Sequence, residues 1–183
     1  MNWNVLLEWS GAAFSLLFLF GLVARKTWAW PAGIVGSAIS VLFCLRVGLY
    51  AETGLYVIYV LMGFYGWYQW HRAPSENDEI VLVDLPWRRQ WPSLLGIPAA
   101  LLLAFGLSHL PGVSFAYADS FTSVFALIAT YQETRRIRTA FHYWIPINLA
   151  TVALYAVKDL WVYAALMVIY TAMSVVGYIK WKK

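Results

Sequence analysis

GWYQW at residues 66–70 and GYIKW at residues 177–181 close two long apolar runs with the same G-x-x-x-W ending. Leu49-Tyr50 stands as far before Gly66 as Leu160-Trp161 stands before Gly177. Nearer the start of each half, Trp30-Pro31 is answered by Trp144-Ile145-Pro146. These markers recur in the same order, so the chain reads as two copies of a three-helix unit. A single connecting helix between the copies lets both keep one orientation, which gives a 3+1+3 parallel repeat. Parallel repeats are a transporter plan in which substrate is held between the halves near the bilayer midplane.

Composition sets the solvent. With 62% hydrophobic, 18% aromatic and only 12% charged residues, the chain departs from soluble domains and reads as an all-α integral membrane protein. Its 183 residues are one domain by length. A hydrocarbon core of ~30 Å needs about 20 apolar helical residues. Seven runs qualify, at 4–23, 30–49, 54–70, 93–110, 119–134, 143–157 and 160–179. The fifth and sixth are short and polar. Repeat one is expected at 4–70, a linker loop at 71–92, a linker helix at 93–110 and repeat two at 119–181. MNWNVLLEWS lacks a basic residue before the first apolar run and carries Glu8, unlike a cleavable signal peptide.

Seven spans put the termini on opposite sides. All but two of the 13 Lys and Arg residues then fall on one side, the exceptions being Arg46 and Lys158. Because cytoplasmic loops accumulate Lys and Arg, the carboxyl terminus is expected inside and the amino terminus outside. The sequence pI of 9.2 thus reflects topology, and no nucleic-acid partner is needed to explain it. Trp28, Trp87, Trp91 and Trp181 adjoin the basic clusters and read as interfacial belt residues. The polar connection at 71–92 reads as a solvated linker whose EIVLVDL core forms a short strand or lies on the membrane surface.

Helical spacing picks out the candidate pathway. Trp144, Asn148, Thr151 and Tyr155 recur on one face of the sixth span. An amide inside hydrocarbon needs partners, either another helix or a substrate. On the fifth span Asp119, Ser123, Ala126, Thr130 and Glu133 share a face, with Thr122 adjacent. Asp119 and Glu133 lie ~21 Å apart along a helix, at opposite ends of the span, where they read as end caps or polar ends of a pathway. The third span presents Tyr59, Trp67 and Trp70, and the seventh Tyr170 and Ser174. Span two carries Ser37, Ser40 and Cys44, small residues that allow close helix contact. Aromatic faces with a few amides and hydroxyls suit a flat, partly polar or cationic ligand.

W-x-W-P at Trp28, L-Y-A-E at Leu49 and Y-G-W-x-x-W at Tyr65 resemble the first half of the PnuC family of B-vitamin and nucleoside transporters. Y-A-D-S-F-T-S at 117–123, the basic turn at Arg135 and Arg136, W-x-x-x-N at Trp144 and G-Y-x-x-W resemble its second half. The resemblance implies a SWEET-like fold of seven transmembrane helices, usually a homotrimer, set among lipids in the bacterial inner membrane. It also implies facilitated diffusion of a small cationic aromatic vitamin, trapped by a cytosolic kinase. Nicotinamide riboside is the leading cargo, with thiamine second and riboflavin third. The chain departs from the pattern of nicotinamide riboside carriers where E-x-W reads Thr139-Ala140-Phe141. The candidate substrate contacts are Tyr59, Trp67, Trp70, Thr122, Trp144, Asn148, Thr151, Tyr155, Tyr170 and Ser174.

Other classes find little support. The sequence has no G-x-x-x-x-G-K-[ST] for nucleotide-driven pumping, and no H-E-x-x-H or G-x-S-x-G. His71, His109 and His142 fall at span ends, and Cys44 is alone. An enzyme is therefore not expected, nor a cofactor or metal. A non-transporting membrane subunit is the remaining different class.

Overall fold

A computed structural model describes residues 3–48, 50–76, 79–109, 115–157 and 161–181. Leu49, Lys158, Leu160, Lys182 and Lys183, used above, lie outside the described residues, as does the side chain of Trp87. Among the described residues are seven α-helices: α1 (Trp3–Val23), α2 (Ala29–Arg46), α3 (Tyr50–His71), α4 (Gly96–Ser108), α5 (Ala116–Thr134), α6 (Ala140–Val157) and α7 (Trp161–Lys180). A 3-10 turn at Trp91–Leu95 runs directly into α4, so together they make an 18-residue apolar rod. That rod, α1, α2 and α6 are long and apolar enough by composition to cross a bilayer. In α3 and α5, tyrosines, hydroxyls and the carboxyls of Glu52, Asp119 and Glu133 dilute the apolar signal, while α7 is apolar along Ala164–Lys180.

The chain groups into two compact units. One comprises residues 1–82 with 134–136, the other 83–133 with 137–183. In the first unit α1 packs on α2 and α2 on α3. Small residues make this possible, since a Cβ on Gly36 would lie 3.0 Å from Phe14 and one on Gly63 only 2.6 Å from Ile34. The linker adds a two-stranded antiparallel hairpin, β1 (Ser75–Glu76) with β2 (Glu79–Ile80). Glu79 pairs with Arg25, and the Ile80 amide donates to the Arg25 carbonyl at 3.2 Å. In the second unit α6 packs on α7, and Gly96, Ala100 and Ala104 form a buried small-residue face on α4. A Cβ on Gly96 would lie 2.6 Å from Ile128 of α5. Val83 bridges Ile137 in parallel.

Side chains are distributed as expected when lipid is the solvent. Large apolar residues such as Leu61, Leu102 and Phe105 are exposed, while Ser120, Thr134, Asn148 and Ser174 are buried. Lipid tails give apolar surface no reason to leave them, so close packing and internal polar bonds hold the helices.

The repeat is visible in backbone detail, with one shift along the chain relating the two copies. Arg25 and Arg136 both adopt the left-handed conformation, at φ 55° and 62°. Each sits in a helix-ending turn closed by a bond across five residues, Lys26 to Gly21 and Ile137 to Gln132, both 2.9 Å. The same shift pairs Ala29 with Ala140, both wholly buried, and Trp30 with Phe141. Trp30 meets Trp70 edge-on at 5.6 Å, and Phe141 meets Trp181 edge-on at 4.9 Å. Two readings of the sequence change accordingly. Trp30 corresponds to Phe141, not to Trp144, and Trp181 is a buried packing residue, not an interfacial belt residue.

Gly66 lies under the Trp30 ring, where a Cβ would come within 2.3 Å. Gly66→Ala is expected to cost about 1–3 kcal/mol by overpacking and to lower the thermal midpoint in detergent. Gly54 of α3 has nothing within 4 Å, so Gly54→Ala should leave that midpoint unchanged or raise it. Equal midpoints for the two variants would refute the ring-on-glycine contact.

Candidate functional site

The candidate residues divide between the two units. In the first, Trp70 is fully buried against Trp30, surroundings that belong to helix packing. Tyr59 is half-buried and meets Tyr56 edge-on at 6.0 Å. Trp67, one turn before the end of α3, is 43% exposed.

The second unit brings several candidates into contact. Asn148 of α6 is buried, and its Nδ2 donates to Ser174 Oγ of α7 at 3.2 Å. Ser174 Oγ in turn donates to the Tyr170 carbonyl at 2.8 Å. Among the described residues this is the single hydrogen bond of the Asn148 amide, whose oxygen has the capacity to accept a further one. Thr151, one turn further along α6, is half-buried and donates back to the Ile147 carbonyl at 2.8 Å, which holds its hydroxyl oxygen toward the same stripe. Tyr155 continues that stripe, half-buried. Pro146 interrupts the opposite side of α6. It has no N–H to give the carbonyl of His142, a local weakness that lets α6 bend.

Facing residues come from α5. Glu133 is 2% exposed. Trp144 Nε1 is buried with no hydrogen-bond partner among the described residues. Beside Glu133, Thr139 Oγ1 donates to Gln132 Oε1 at 2.9 Å, fastening the end of α5 to the start of α6. Asp119, in the first turn of α5, is half-buried where the helix dipole favours an acid. Thr122 Oγ1 donates to the Ala118 carbonyl at 2.9 Å.

Thr122 also lines a cavity of 330 Å³ with Phe121, Phe125, Tyr143, Pro146, Ile147 and Ala150. Phe121, Phe125 and Tyr143 stack in series there, at 6.2 and 6.1 Å with nearly parallel planes. Sequence reading passed over these rings. Phe121 and Phe125 are four apart on α5, but Tyr143 joins them only through the pairing of two helices. No group of three or more potential metal ligands occurs among the described residues.

Comparisons with known proteins agree with one another. Residues 5–183 match the family described as nicotinamide mononucleotide transporter. A solved structure, the crystal structure of the vitamin B3 transporter PnuC, superposes with a TM-score of 0.80 at 23% identity, covering 99% of this chain and 82% of that one. No curated protein sequence matches the chain. The superposition gives a multi-pass membrane fold of seven helices, as expected from the sequence. The chain therefore belongs to the nicotinamide mononucleotide transporter family and is a membrane transporter, not an enzyme.

Proposed function

We propose that this protein carries nicotinamide riboside across the bacterial inner membrane by facilitated diffusion, with a cytosolic kinase trapping the arriving cargo. The observation that carries the reading is the bonded set Asn148, Ser174 and Tyr170 beside Trp144, in a chain of this family. A pyridinium ring is attracted to an indole face by ~0.5–2 kcal/mol, and ribose hydroxyls suit the open amide oxygen of Asn148 and the hydroxyl of Thr151, while Thr122 is a contact in the separate cavity on the other flank of α6. The riboside is preferred to its mononucleotide on charge. α5, α6 and α7 up to Ile179 contain Asp119 and Glu133 but no Lys or Arg, so a phosphate would have no cation to meet it within the spans.

Tyr155 extends the same stripe as a further contact, and Asp119 and Glu133 mark the polar ends of the pathway. Tyr59 and Trp67 are retained as first-repeat contacts, whereas the burial of Trp70 favours packing. The distribution of Lys and Arg supports an outer amino terminus and a cytoplasmic carboxyl terminus. The protein is proposed to work as a homotrimer. Thiamine is the second reading of the cargo, favoured by Phe141, which stands where the family's E-x-W has tryptophan and packs instead against Trp181.

Purified protein in liposomes should equilibrate labelled nicotinamide riboside without a nucleotide or an ion gradient. Transport of thiamine alone would move the cargo assignment, and passage of no labelled vitamin would make the chain a non-transporting subunit. Asn148→Ala is expected to weaken riboside binding about tenfold, equivalent to ~1.4 kcal/mol, with its thermal midpoint retained. Unchanged affinity would remove Asn148 from the site.

A further inference from the structure

The shift that relates the two repeats shows where the second copy departs from what packing requires. In the first copy α1 and α2 close on each other through Gly11 and Gly36. A Cβ on Gly11 would lie 3.2 Å from Ser40 Oγ and 3.6 Å from Ile39, and one on Gly36 would lie 3.0 Å from Phe14. The counterparts of these two glycines are Thr122 of α5 and Ile147 of α6, and there the helices leave the cavity of 330 Å³. Phe14 has Phe125 as its counterpart, so the aromatic ring is kept while the glycines beside it are lost. The fold is able to close this junction, and in the second copy it does not.

The lining offers hydrocarbon and almost no hydrogen bonds. Thr122 Oγ1 donates to the carbonyls of Ala118 and Asp119 at 2.9 and 3.1 Å, and Pro146 has no N–H. The Tyr143 hydroxyl donates to Gln90 Oε1 at 3.4 Å. Pro146 and Ala150, on the rim, are exposed. From Tyr143 to Ala150 is ~10 Å along α6, within the ~15 Å that one leaflet contributes to the hydrocarbon core. A polar vitamin gains little in such a groove, whereas a hydrocarbon chain fills it.

Positive charge stands at one end. Gln90 is 5% exposed and ties the Tyr143 ring to the turn Trp87–Arg89, with its Nε2 donating to the Leu85 carbonyl at 3.3 Å. Phe125 reaches the same segment, since a Cβ on Gly96 would lie 3.3 Å from its ring. Arg88 and Arg89 are exposed. Among the described residues neither guanidinium meets a carboxylate, because Glu79 pairs with Arg25 and Asp84 with Arg138. Trp91, exposed just beyond them, marks the headgroup level. The groove and both arginines belong to the second unit.

We propose that this groove is a phospholipid site: an anionic headgroup meets Arg88 and Arg89, and one of its acyl chains lies between α5 and α6 along Phe121, Phe125 and Ile147. Charge complementarity selects the occupant, since basic side chains at the membrane surface attract anionic lipid and basic pockets beside transmembrane helices hold its headgroups. The site lies apart from the Asn148 stripe and does not depend on which cargo is carried.

Native mass spectrometry of the full-length protein in detergent tests this by titration with phosphatidylglycerol, with phosphatidylcholine of the same chains, and with glycerol phosphate as a headgroup without tails. Phosphatidylglycerol should bind about tenfold more tightly than phosphatidylcholine, and glycerol phosphate should show no saturable binding. The Arg88→Gln, Arg89→Gln double variant should bring the two lipids within about threefold of each other. Ala150→Phe fills the groove and should weaken phosphatidylglycerol about tenfold, and Ala150→Leu repeats the test should the larger side chain prevent folding. All these variants should bind nicotinamide riboside as the wild type does. Equal affinity of the wild type for the two lipids, or a preference that survives loss of both arginines, would overturn the proposal. So would unchanged lipid affinity in the Ala150 variants, and if protomers then dissociate, the groove belongs to a second copy. Glycerol phosphate binding as tightly as phosphatidylglycerol would leave an anion site only, and loss of riboside binding in the Ala150 variants would give the groove to the cargo. Either result contradicts a lipid site. Failure of the wild type to bind the riboside would sink the cargo reading and leave the lipid result standing.

Discussion

An aromatic ring held edge-on against the last tryptophan of a three-helix unit is the contact on which each half of this protein depends. Trp30 meets Trp70 in one copy, and Phe141 meets Trp181 in the other. In lipid, apolar side chains gain nothing by turning inward, so helices associate only where surfaces interlock closely or polar groups pair. An edge-to-face pair adds about 0.5–1.5 kcal/mol beyond its buried area. A glycine four residues before each tryptophan is buried in the same place, and in the first copy the Trp30 ring rests directly on it. The contact fixes the second helix against the third, and the left-handed arginine turns fix where the second helix begins.

A shared register makes the differences between the copies informative. In the first copy Phe18 fills the space over Gly33, where a Cβ would lie 2.8 Å from the ring. In the second the bulk has changed sides, with Ala129 opposite Trp144 in the same alignment and Ala129 wholly buried. Ser37 and Gly63 become Asn148 and Ser174, which hydrogen-bond to each other. Small residues close the first copy by tight packing, while the second carries an amide, a hydroxyl and an indole at the same positions. Chemistry suited to binding is therefore concentrated in the second copy, on a scaffold both copies share.

Much of this was legible in the sequence because lipid imposes simple rules. Seven helices, the polar stripe on α6 and the G-x-x-x-W endings follow from apolar length and helical spacing. The register of the repeat was only partly legible. Two visible Trp and Pro motifs suggested pairing Trp30 with Trp144, whereas the backbone pairs Trp30 with Phe141, an aromatic residue with no proline beside it. Trp181 looked like a belt residue because lysines surround it, and only the ring of Phe141 shows that it faces inward. The cavity beside Thr122 escaped notice because Tyr143 lies on the flank of α6 away from the polar stripe. Hairpin β1–β2 was expected only as a possible strand, since its pairing with Arg25 is non-local.

The most direct test of this division of labour is an experimental structure of the protein with nicotinamide riboside bound. The account predicts the pyridinium ring against Trp144 and the ribose within hydrogen-bonding distance of Asn148, with Ser37 and Ser40 of α2 closed against α1. Cargo density lying along the Ser37 and Ser40 stripe, with the Asn148 to Ser174 bond intact and uncontacted, would contradict it.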